Sequence, residues 1–315
     1  MPFPSFSQEL NNLASTTLWL YATKKAVDNI FRGTPLLQEF QARKAFVGRT
    51  GGTHIRVPLE YGTSPVLSID YKEAIRLEGV ELVTTAIYPW KYMAAPLLIY
   101  EIEMKMNSGE GQILDLLDIK VRNIERSFRE KFNELMYLDG SGNGGKDIDG
   151  LGLLVSDTTT CGGLNPTTYT WWKSYVDSAS ETISFAKLSN AITAVTYDKA
   201  PDIIVMPLDL WDSLHNSLPQ FVRYSDNQRM ANWGFPHFVV RGGIPVVADR
   251  YAPSGKVWVL NLDTLKVFYM NGYLFQPRGF VDVPNLLASA NIYLFVGNMV
   301  TTARRCNGVL TNKSA

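Results

Sequence analysis

Apolar residues recur every three or four positions between Gln112 and Leu138, which is the spacing of one face of an α-helix. The opposite face is charged and contains i,i+4 pairs of opposite sign, such as Glu125 with Arg129. A helix of this length spans ~40 Å, so the pattern predicts a long spine helix. The residues of its apolar stripe are Ile113, Leu117, Val121, Ile124, Phe128, Phe132 and Leu135.

Residues 48–92 show a different pattern, in which apolar and polar side chains alternate. A first alternating run covers 53–59, with Ile55 and Val57 on one face, and a second run covers 78–88. The two runs predict a two-stranded β-ribbon. Because a lone ribbon is only marginally stable, we expect it to lie on something else.

The rest of the chain predicts an N-terminal helix and a mixed α/β region. Residues 8–31 have the apolar spacing of an amphipathic helix, which Gly33-Thr34-Pro35 is expected to end, and such a segment is typical of an arm. After Gly150, the predicted helices are Phe185 to Tyr197 and Leu208 to Leu218. The predicted strands are Asp202 to Met206, the pair His237 to Val240 and Ile244 to Ala248, Lys256 to Leu260, Lys266 to Met270, Ala290 to Val296 and Val300 to Arg305.

Composition adds a hint of assembly. Apolar residues make up 46% of the 315 positions and charged residues only 19%, below the usual quarter. Interface cores are poor in charge and rich in aromatics, and this chain has 15 Phe, 15 Tyr and 7 Trp. The net charge of zero argues against tight wrapping by nucleic acid. No segment has the length and apolarity of a membrane span or the pattern of a signal peptide, which predicts a cytoplasmic protein whose Cys161 and Cys306 are free thiols.

A glycine-rich segment at 139–150 matches three ligand-binding motifs in part. It fits G-x-x-x-x-G-K, but Asp147 stands where Ser or Thr would hold magnesium. It also fits G-x-G-x-x-G, but it follows a predicted helix instead of a strand. It resembles the start of a calcium loop, but Gly150 replaces the bidentate Glu. We therefore predict a connector at the end of the long helix.

The remaining candidate residues do not converge on a reaction. His54, His215 and His237 lack metal-ligand spacing, and no G-x-S-x-G elbow is present. Arg304-Arg305 is too short for a nucleic-acid patch, and two such arginines are expected to be solvated or paired. The sequence therefore predicts no catalytic residue, no cofactor-binding residue, no metal ligand and no enzymatic activity.

The order of these elements resembles the major capsid protein of tailed bacteriophages, which has the Hong Kong 97-type (Johnson) fold. The residues that carry the resemblance are Trp90-Lys91, Glu101, Asn107, Gly109 and Ile113 to Leu117 before the spine helix, Leu138-Asp139-Gly140 and Ile148 to Leu151 after it, and Pro201-Asp202 with Gly243 to Val246 and Asp249 beyond. The implied fold is α+β. Its implied parts are an N-terminal arm (1–47), an extended β-ribbon loop (48–92), a peripheral domain with the spine helix (93–149), an α/β apical domain (150–265) and return strands of the peripheral domain (266–315).

The resemblance also implies a function. Copies of one subunit would form the hexamers and pentamers of an icosahedral shell around double-stranded DNA, which they would contact without sequence specificity. The shell would be part of a virion assembled in the host cytoplasm, with separate scaffolding and portal proteins and possible decoration proteins, and with neither a cofactor nor a membrane. Some relatives link a Lys of the ribbon to a neighbour's Asn; Lys72 with Asn298 or Asn307 is available here, but no motif singles them out and no such bond is predicted. Two alternatives stay open, an encapsulin-like nanocompartment shell and a soluble α/β enzyme.

Overall fold

The computed structural model describes residues 34–64, 66, 68, 70, 81–106, 116–197, 199–217, 237–283 and 286–314. The predicted helix at 8–31 and Lys72 lie outside these residues. The helices are α1 (Pro35–Ala42), α2 (Glu101–Met106), α3 (Leu116–Tyr137), α4 (Gly142–Gly145), α5 (Leu151–Leu154), α6 (Phe185–Val195) and α7 (Leu208–Asn216), with 3-10 turns at Thr170–Trp172, Arg241–Gly243 and Arg304–Cys306. The strands are β1 (Phe46–Arg49), β2 (His54–Glu60), β3 (Val83–Pro89), β4 (Lys91–Tyr100), β5 (Tyr175–Asp177), β6 (Glu181–Thr182), β7 (Ile203–Met206), β8 (His237–Val240), β9 (Ile244–Ala248), β10 (Val257–Leu260), β11 (Leu265–Met270), β12 (Gln276–Pro277), β13 (Val281–Asp282), β14 (Ala288–Thr301), β15 (Gly308–Leu310) and β16 (Lys313–Ser314).

The described chain forms two compact units. The larger unit is drawn from segments 34–92, 132–274 and 296–315, and the smaller unit from 93–131 and 275–295. Both units mix helices with strands, which confirms the predicted α+β class.

The main sheet of the larger unit has six strands in the order β5-β15-β10-β7-β9-β8. Strands β7 and β9 are parallel, and every residue of β7, β9 and β10 is buried. Continuous apolar runs of this kind are typical of strands covered on both faces. Helices α6 and α7 supply Leu188, Ile192, Leu210 and Leu214 to the same core. The predicted strands at 202–206, 237–240, 244–248 and 256–260 are confirmed to within one residue.

The C-terminal part of the chain differs from the prediction in two ways. The expected extended segment at 290–296 is confirmed as part of β14, but this strand continues without a break to Thr301. The expected segment at 300–305 is wrong beyond Thr301, because Arg304–Cys306 form a 3-10 turn. The ladder with β11 continues through Gly297 and Asn298, so the strand has no reason to break there. Strand β15, which was not predicted, lies between β10 and β5 in the main sheet.

The segment after residue 33 belongs to the core of the larger unit. Pro35 begins α1, since a proline in the first helical turn removes an N–H that would have no helical partner. Leu36 and Phe40 of α1 are fully buried. Strand β1 follows and pairs in parallel with β11, with Phe46 opposite Val267.

The predicted ribbon is present as the antiparallel pair β2–β3, with Val57 opposite Ala86. Its inner face is buried within the larger unit, which confirms the expectation that the ribbon lies on another part of the protein. One contact joins the two backbones directly: the Ile87 N–H donates to the Gly162 carbonyl at 2.9 Å. The buried residues of the face are Ile55, Val57, Leu59, Ala86 and Tyr88.

The spine helix is confirmed as α3, while Gln112 to Asp115 and the side chain of Leu117 lie outside the described residues. Of its predicted stripe, Phe128, Phe132 and Leu135 are buried. In the smaller unit, Phe128 meets Phe275 edge to face with ring centroids 5.3 Å apart, and Phe275 stacks on Phe295 at 4.9 Å. In the described part of the smaller unit, these three rings form an aromatic cluster against α3.

Candidate assembly surfaces and buried polar clusters

Arg304 is fully buried and donates its hydrogen bonds to backbone carbonyls. Its Nε bonds to Leu154 O at 2.9 Å, one terminal nitrogen to Leu153 O at 2.9 Å, and the other to Thr159 O at 3.0 Å and Trp172 O at 3.4 Å. Burial lowers the pKa of Arg304 from its ordinary value because it disfavours the cation. Arg304 thereby connects the turn after β14 to α5, to the loop at Thr159 and to the 3-10 turn that ends at Trp172.

The prediction that Arg304 and Arg305 are solvated or paired is therefore wrong for Arg304. Arg305 is exposed, and its guanidinium lies 4.6 Å from the centre of the half-exposed Tyr197 ring. Neighbouring arginines thus have opposite environments. The carbonyls that draw Arg304 inward come from residues more than 130 positions away, so sequence spacing carried no signal of them.

Asn298 uses its whole amide group inside the larger unit, where it is fully buried. Its Nδ2 donates to Asp149 Oδ2 at 2.7 Å and to Pro89 O at 3.0 Å. Its Oδ1 accepts from the backbone N–H groups of Asp149 and Met299, both at 2.9 Å. Asn298 thereby holds the end of the ribbon, the connector after α3 and strand β14 together.

Asp149 is a buried carboxylate with one cation nearby. Lys91 Nζ lies 3.7 Å from Asp149 Oδ1 and also donates to the Gly145 carbonyl. Burial raises the pKa of Asp149, and this effect outweighs the lowering by Asn298 and Lys91. These contacts join β4, through Lys91, and β14, through Asn298, to the connector after α3.

Asn307 is likewise fully buried and hydrogen-bonded. Its Oδ1 accepts from Asn261 N at 2.9 Å, and its Nδ2 donates to Thr264 Oγ1 at 2.8 Å and Ala303 O at 3.0 Å. Both asparagines that were considered for a covalent link to Lys72 are thus held inside the fold by their own hydrogen bonds.

The glycine-rich segment connects α3 to α5. Asp139 Oδ1 accepts from Ser141 N at 3.0 Å and Ser141 Oγ at 2.6 Å, and these bonds lower the pKa of Asp139. Asn143 and Gly144 take left-handed conformations with φ of 51° and 69°. The N-terminal polar groups of the loop bond to each other, so the local geometry is that of a tight turn.

The histidines and cysteines lie in different environments. His54 is exposed on β2, His215 on α7 stacks on Trp211 with ring centroids 4.9 Å apart, and the side chain of His237 lies outside the described residues. Cys161 is a buried free thiol, 3.6 Å from Tyr88 Oη, and burial raises its pKa. Among the described residues, no three His, Cys, Asp or Glu side chains are grouped so that they could hold a metal ion.

An ionic network anchors α1 to the loops beside the main sheet. Arg43 approaches Glu39 at 3.2 Å and Asp202 at 3.0 Å, and Lys199 pairs with Asp202 at 3.6 Å and with Asp263. Partial burial acts to lower the pKa of Arg43, but the nearby carboxylates of Asp202 and Glu39 act more strongly in the other direction. The net effect is a raised pKa. The network fixes the position of α1 within the larger unit.

Apolar side chains remain exposed on the outer face of the ribbon. Val83 exposes 63% of its surface and Ile87 45%, while Ala86 and Tyr88 between and beside them are buried. Just beyond the ribbon, Tyr92 is 67% exposed. No helix within the described residues is both long and apolar enough to span a membrane.

No protein-family model matches the sequence, and no curated protein matches it. Solved structures do match its fold. A subunit of the cyanophage A-1(L) capsid asymmetric unit superposes with a TM-score of 0.73 at 17% identity, covering 92% of this chain and 96% of that one. The capsid of a native GTA particle gives 0.66 at 10% identity, with 92% and 94% covered. The holo-SrpI encapsulin complex from Synechococcus elongatus PCC 7942 gives 0.56 at 10% identity, with 92% of each chain covered.

These matches extend over almost the whole chain, although few residues are identical. The chain therefore has the Hong Kong 97-type fold of tailed-phage capsid proteins, as the order of its predicted elements implied. These structural neighbours come from a phage capsid, a GTA particle capsid and an encapsulin complex.

Proposed function

We propose that this chain is the major capsid protein of a tailed bacteriophage, which assembles into the pentamers and hexamers of an icosahedral shell around double-stranded DNA. The observation that carries the proposal is the match to a cyanophage capsid subunit over 92% of the chain with a TM-score of 0.73. The buried positions of Arg304, Asn298 and Asn307 support it, because they assign these polar residues to structure.

Different parts of the chain would make different contacts in the assembled shell. The arm (1–47) and the extended loop (48–92) would reach neighbouring subunits, and the apical domain (150–265) would meet its copies at each capsomer axis. The peripheral domain (93–149 and 266–315) would join capsomers to one another. The anchored α1 and the buried inner face of β2–β3 support this division, since a segment that bears on a neighbour needs a firm base in its own subunit.

The packaged DNA would be contacted without sequence specificity. The chain carries 30 basic and 30 acidic residues, and tight DNA wrapping requires an excess of cations at the contact. A confined genome needs no strong binding to a shell that encloses it. Separate scaffolding and portal proteins would be the other partners, with assembly in the host cytoplasm.

A second candidate is a nanocompartment shell that encloses a protein. The match to the SrpI encapsulin complex favours it, with a TM-score of 0.56 over 92% of the chain. Both candidates use one fold to build a closed shell, so the cargo separates them.

Sedimentation and electron microscopy of the purified full chain test the proposal. We expect pentamers, hexamers or closed particles whose proportion rises with concentration, because the contacts are between copies. A folded chain that stays a monodisperse monomer at high concentration would overturn both shell functions. Particles purified from the natural host should contain nuclease-protected DNA; a protein cargo without DNA would favour the nanocompartment.

A further inference from the structure

The end of a β-hairpin in the smaller unit exposes an unusual number of large apolar side chains. The hairpin is formed by β13 and the first part of β14, with Val281 opposite Ala290 and Asp282 opposite Ser289. The Glu101 N–H donates to Leu287 O at 3.0 Å, which places Ile102 beside the hairpin tip. We call these residues the hairpin patch: Ile102 (44% exposed), Phe280 (49%), Val281 (69%), Leu286 (52%), Leu287 (69%) and Ile292 (44%).

Both faces of the hairpin contribute to the patch. Val281 lies opposite Ala290, so it shares a face with Ile292, two residues further along β14. Phe280 precedes Val281 and is also half-exposed. The described residues of the smaller unit thus leave the side chains at this end of the hairpin open to solvent, although Phe128 and Phe295 of the same unit are buried.

The patch is large for a free surface. Exposed fractions between 44% and 69% on six large residues amount to a total apolar area on the order of 500 Å², distributed over both faces of the hairpin. A soluble monomer rarely exposes contiguous apolar patches of more than a few hundred Å². The total is also more than half of the ~800 Å² that each partner buries in an interface of standard size.

The edge of the hairpin is unsuited to the addition of a further strand. Pro277 lacks an N–H, Gly279 has a φ of +100°, and the Gly279 N–H is already used by Asn291 Oδ1 at 3.1 Å. A partner would therefore be held by side-chain packing.

Charge identifies the kind of partner. Between residues 275 and 295 the only charged residues are Arg278 and Asp282, one of each sign, on either side of Phe280. Beside Ile102, Glu103 is paired with Lys120 at 2.6 Å, and the exposed Glu101 and Lys105 add one further charge of each sign. DNA or an anionic membrane would call for an excess of cations. An apolar patch bordered by equal numbers of positive and negative charges is complementary to a copy of itself. We propose that the hairpin patch is a contact between copies of this chain, an inference that rests on the shell function proposed above.

Thiol labelling of the full chain tests the contact. The rate at which a thiol reagent labels the added cysteine of Leu287→Cys is measured at increasing protein concentration. The wild type is labelled in parallel, and its rate gives the background from Cys306 and the buried Cys161. Ser180→Cys, an exposed position in the larger unit, sets the rate for an open site in dilute solution. We expect the added thiol of Leu287→Cys to react as fast as the control when dilute and about tenfold more slowly in assembled protein, because packed contacts exclude solvent.

The outcomes separate this inference from the shell function. Particles that form while labelling of Leu287→Cys stays fast overturn the contact and leave the shell function standing. Labelling that slows with concentration without particles supports the contact and overturns the closed shell. Slow labelling even in the most dilute sample would mean that residues of the same chain cover the patch, and would overturn the contact between copies.

A second variant measures the same contact without a thiol. Leu287→Asp should reduce the yield of particles at least about tenfold, because it places a charge at the centre of an apolar contact. Leu208→Asp, at an exposed leucine at the start of α7 that leaves 46% of its surface open, measures the effect of the same substitution outside the patch and should reduce the yield less than Leu287→Asp. Equal yields from Leu287→Asp and the wild type would contradict the proposal.

Discussion

The main sheet of the larger unit and the hairpin of the smaller unit contain similar apolar residues but differ in how far these residues are buried. In the sheet, every residue of β7, β9 and β10 is buried, and elsewhere in the same unit even the charged Arg304 is enclosed and hydrogen-bonded. In the hairpin, Val281 and Leu287 each expose 69% of their surface. Burying apolar area provides most of the free energy of folding, so the sheet is complete within one chain whereas the hairpin leaves that free energy unused.

The difference indicates what each region is for. A region that satisfies its own polar and apolar groups is stable before assembly. A region that leaves apolar area open gains stability only when a partner covers it. A shell subunit needs both kinds, because it must fold alone and then associate.

The largest effect is expected where the larger unit encloses a charge. Arg304→Ala should lower the free energy of unfolding by about 4 kcal/mol, because the carbonyls of Leu153, Leu154 and Thr159 lose their donor inside the protein. Arg305→Ala, the exposed neighbour, should cost less than about 1 kcal/mol. Urea denaturation of the dilute chain measures both. Similar losses for the two variants would mean that the buried hydrogen bonds of Arg304 do not stabilise the larger unit.

The closed part of the smaller unit provides the next test. Phe128→Ala should cost about 3–4 kcal/mol, because it leaves a cavity beside Phe275 and Phe295. Arg129→Ala, on the exposed side of the same helix, should change stability by less than about 0.5 kcal/mol. Thermal unfolding monitored by circular dichroism distinguishes them. If Arg129→Ala is the more damaging variant, the assignment of the helix faces is wrong.

The loop that contacts the ribbon contains two adjacent glycines, Gly162 and Gly163, which can be compared directly. Both have positive φ, 60° at Gly162 and 78° at Gly163, so alanine at either costs roughly 1 kcal/mol of backbone strain. At Gly162 the new Cβ would also lie 2.8 Å from Ala86 Cβ, whereas at Gly163 it meets nothing within 4 Å. Gly162→Ala should therefore be about 1–2 kcal/mol worse than Gly163→Ala in urea denaturation. Equal costs would mean that the ribbon does not press on this loop.

A smaller effect should depend on pH. Burial raises the pKa of Asp249, which accepts hydrogen bonds from Tyr137 Oη at 2.8 Å and Tyr251 N at 2.9 Å. The fold thus favours the neutral carboxyl, so its contribution to stability is present below the ordinary pKa and is lost as pH rises through the raised one. Asp249→Asn should gain stability relative to the wild type as pH rises from about 4 to about 7.

Asp139→Asn is the control of opposite sign. The pKa of Asp139 is lowered by its bonds to Ser141, so its contribution is present at neutral pH and is lost on acidification. Relative to the wild type, this variant should lose stability as pH rises. Denaturation at a series of pH values measures both differences, and parallel curves for the two variants would contradict the assignment.

The smallest effect is expected in the hairpin patch. Leu287→Ser should change the stability of the dilute chain by less than about 0.5 kcal/mol, because the side chain is already in water. The measurement is urea denaturation at low concentration. A loss above ~2 kcal/mol would show that Leu287 is buried in the free chain and would remove the contrast between the two regions.

The regular elements could be predicted from the sequence because their signals are local. The period of the stripe along α3 and the alternation in β2 and β3 follow directly from helix and strand geometry. The continuous apolar runs of β7 and β9 also had the composition of covered strands. The order of these elements then implied the capsid fold, which the structural matches confirm.

The sequence by itself determined the class of fold, the spine helix, the ribbon and the lack of a recognisable catalytic motif. Only the tertiary structure decided that Arg304 is buried, that Asn298 braces Asp149, that β15 joins the main sheet and that the hairpin patch is open. The physical reason is that each of these depends on partners distant along the chain. Hydrogen-bond partners and burial depend on which segments lie next to each other in the folded protein. The spacing of residues along the sequence does not specify these long-range contacts.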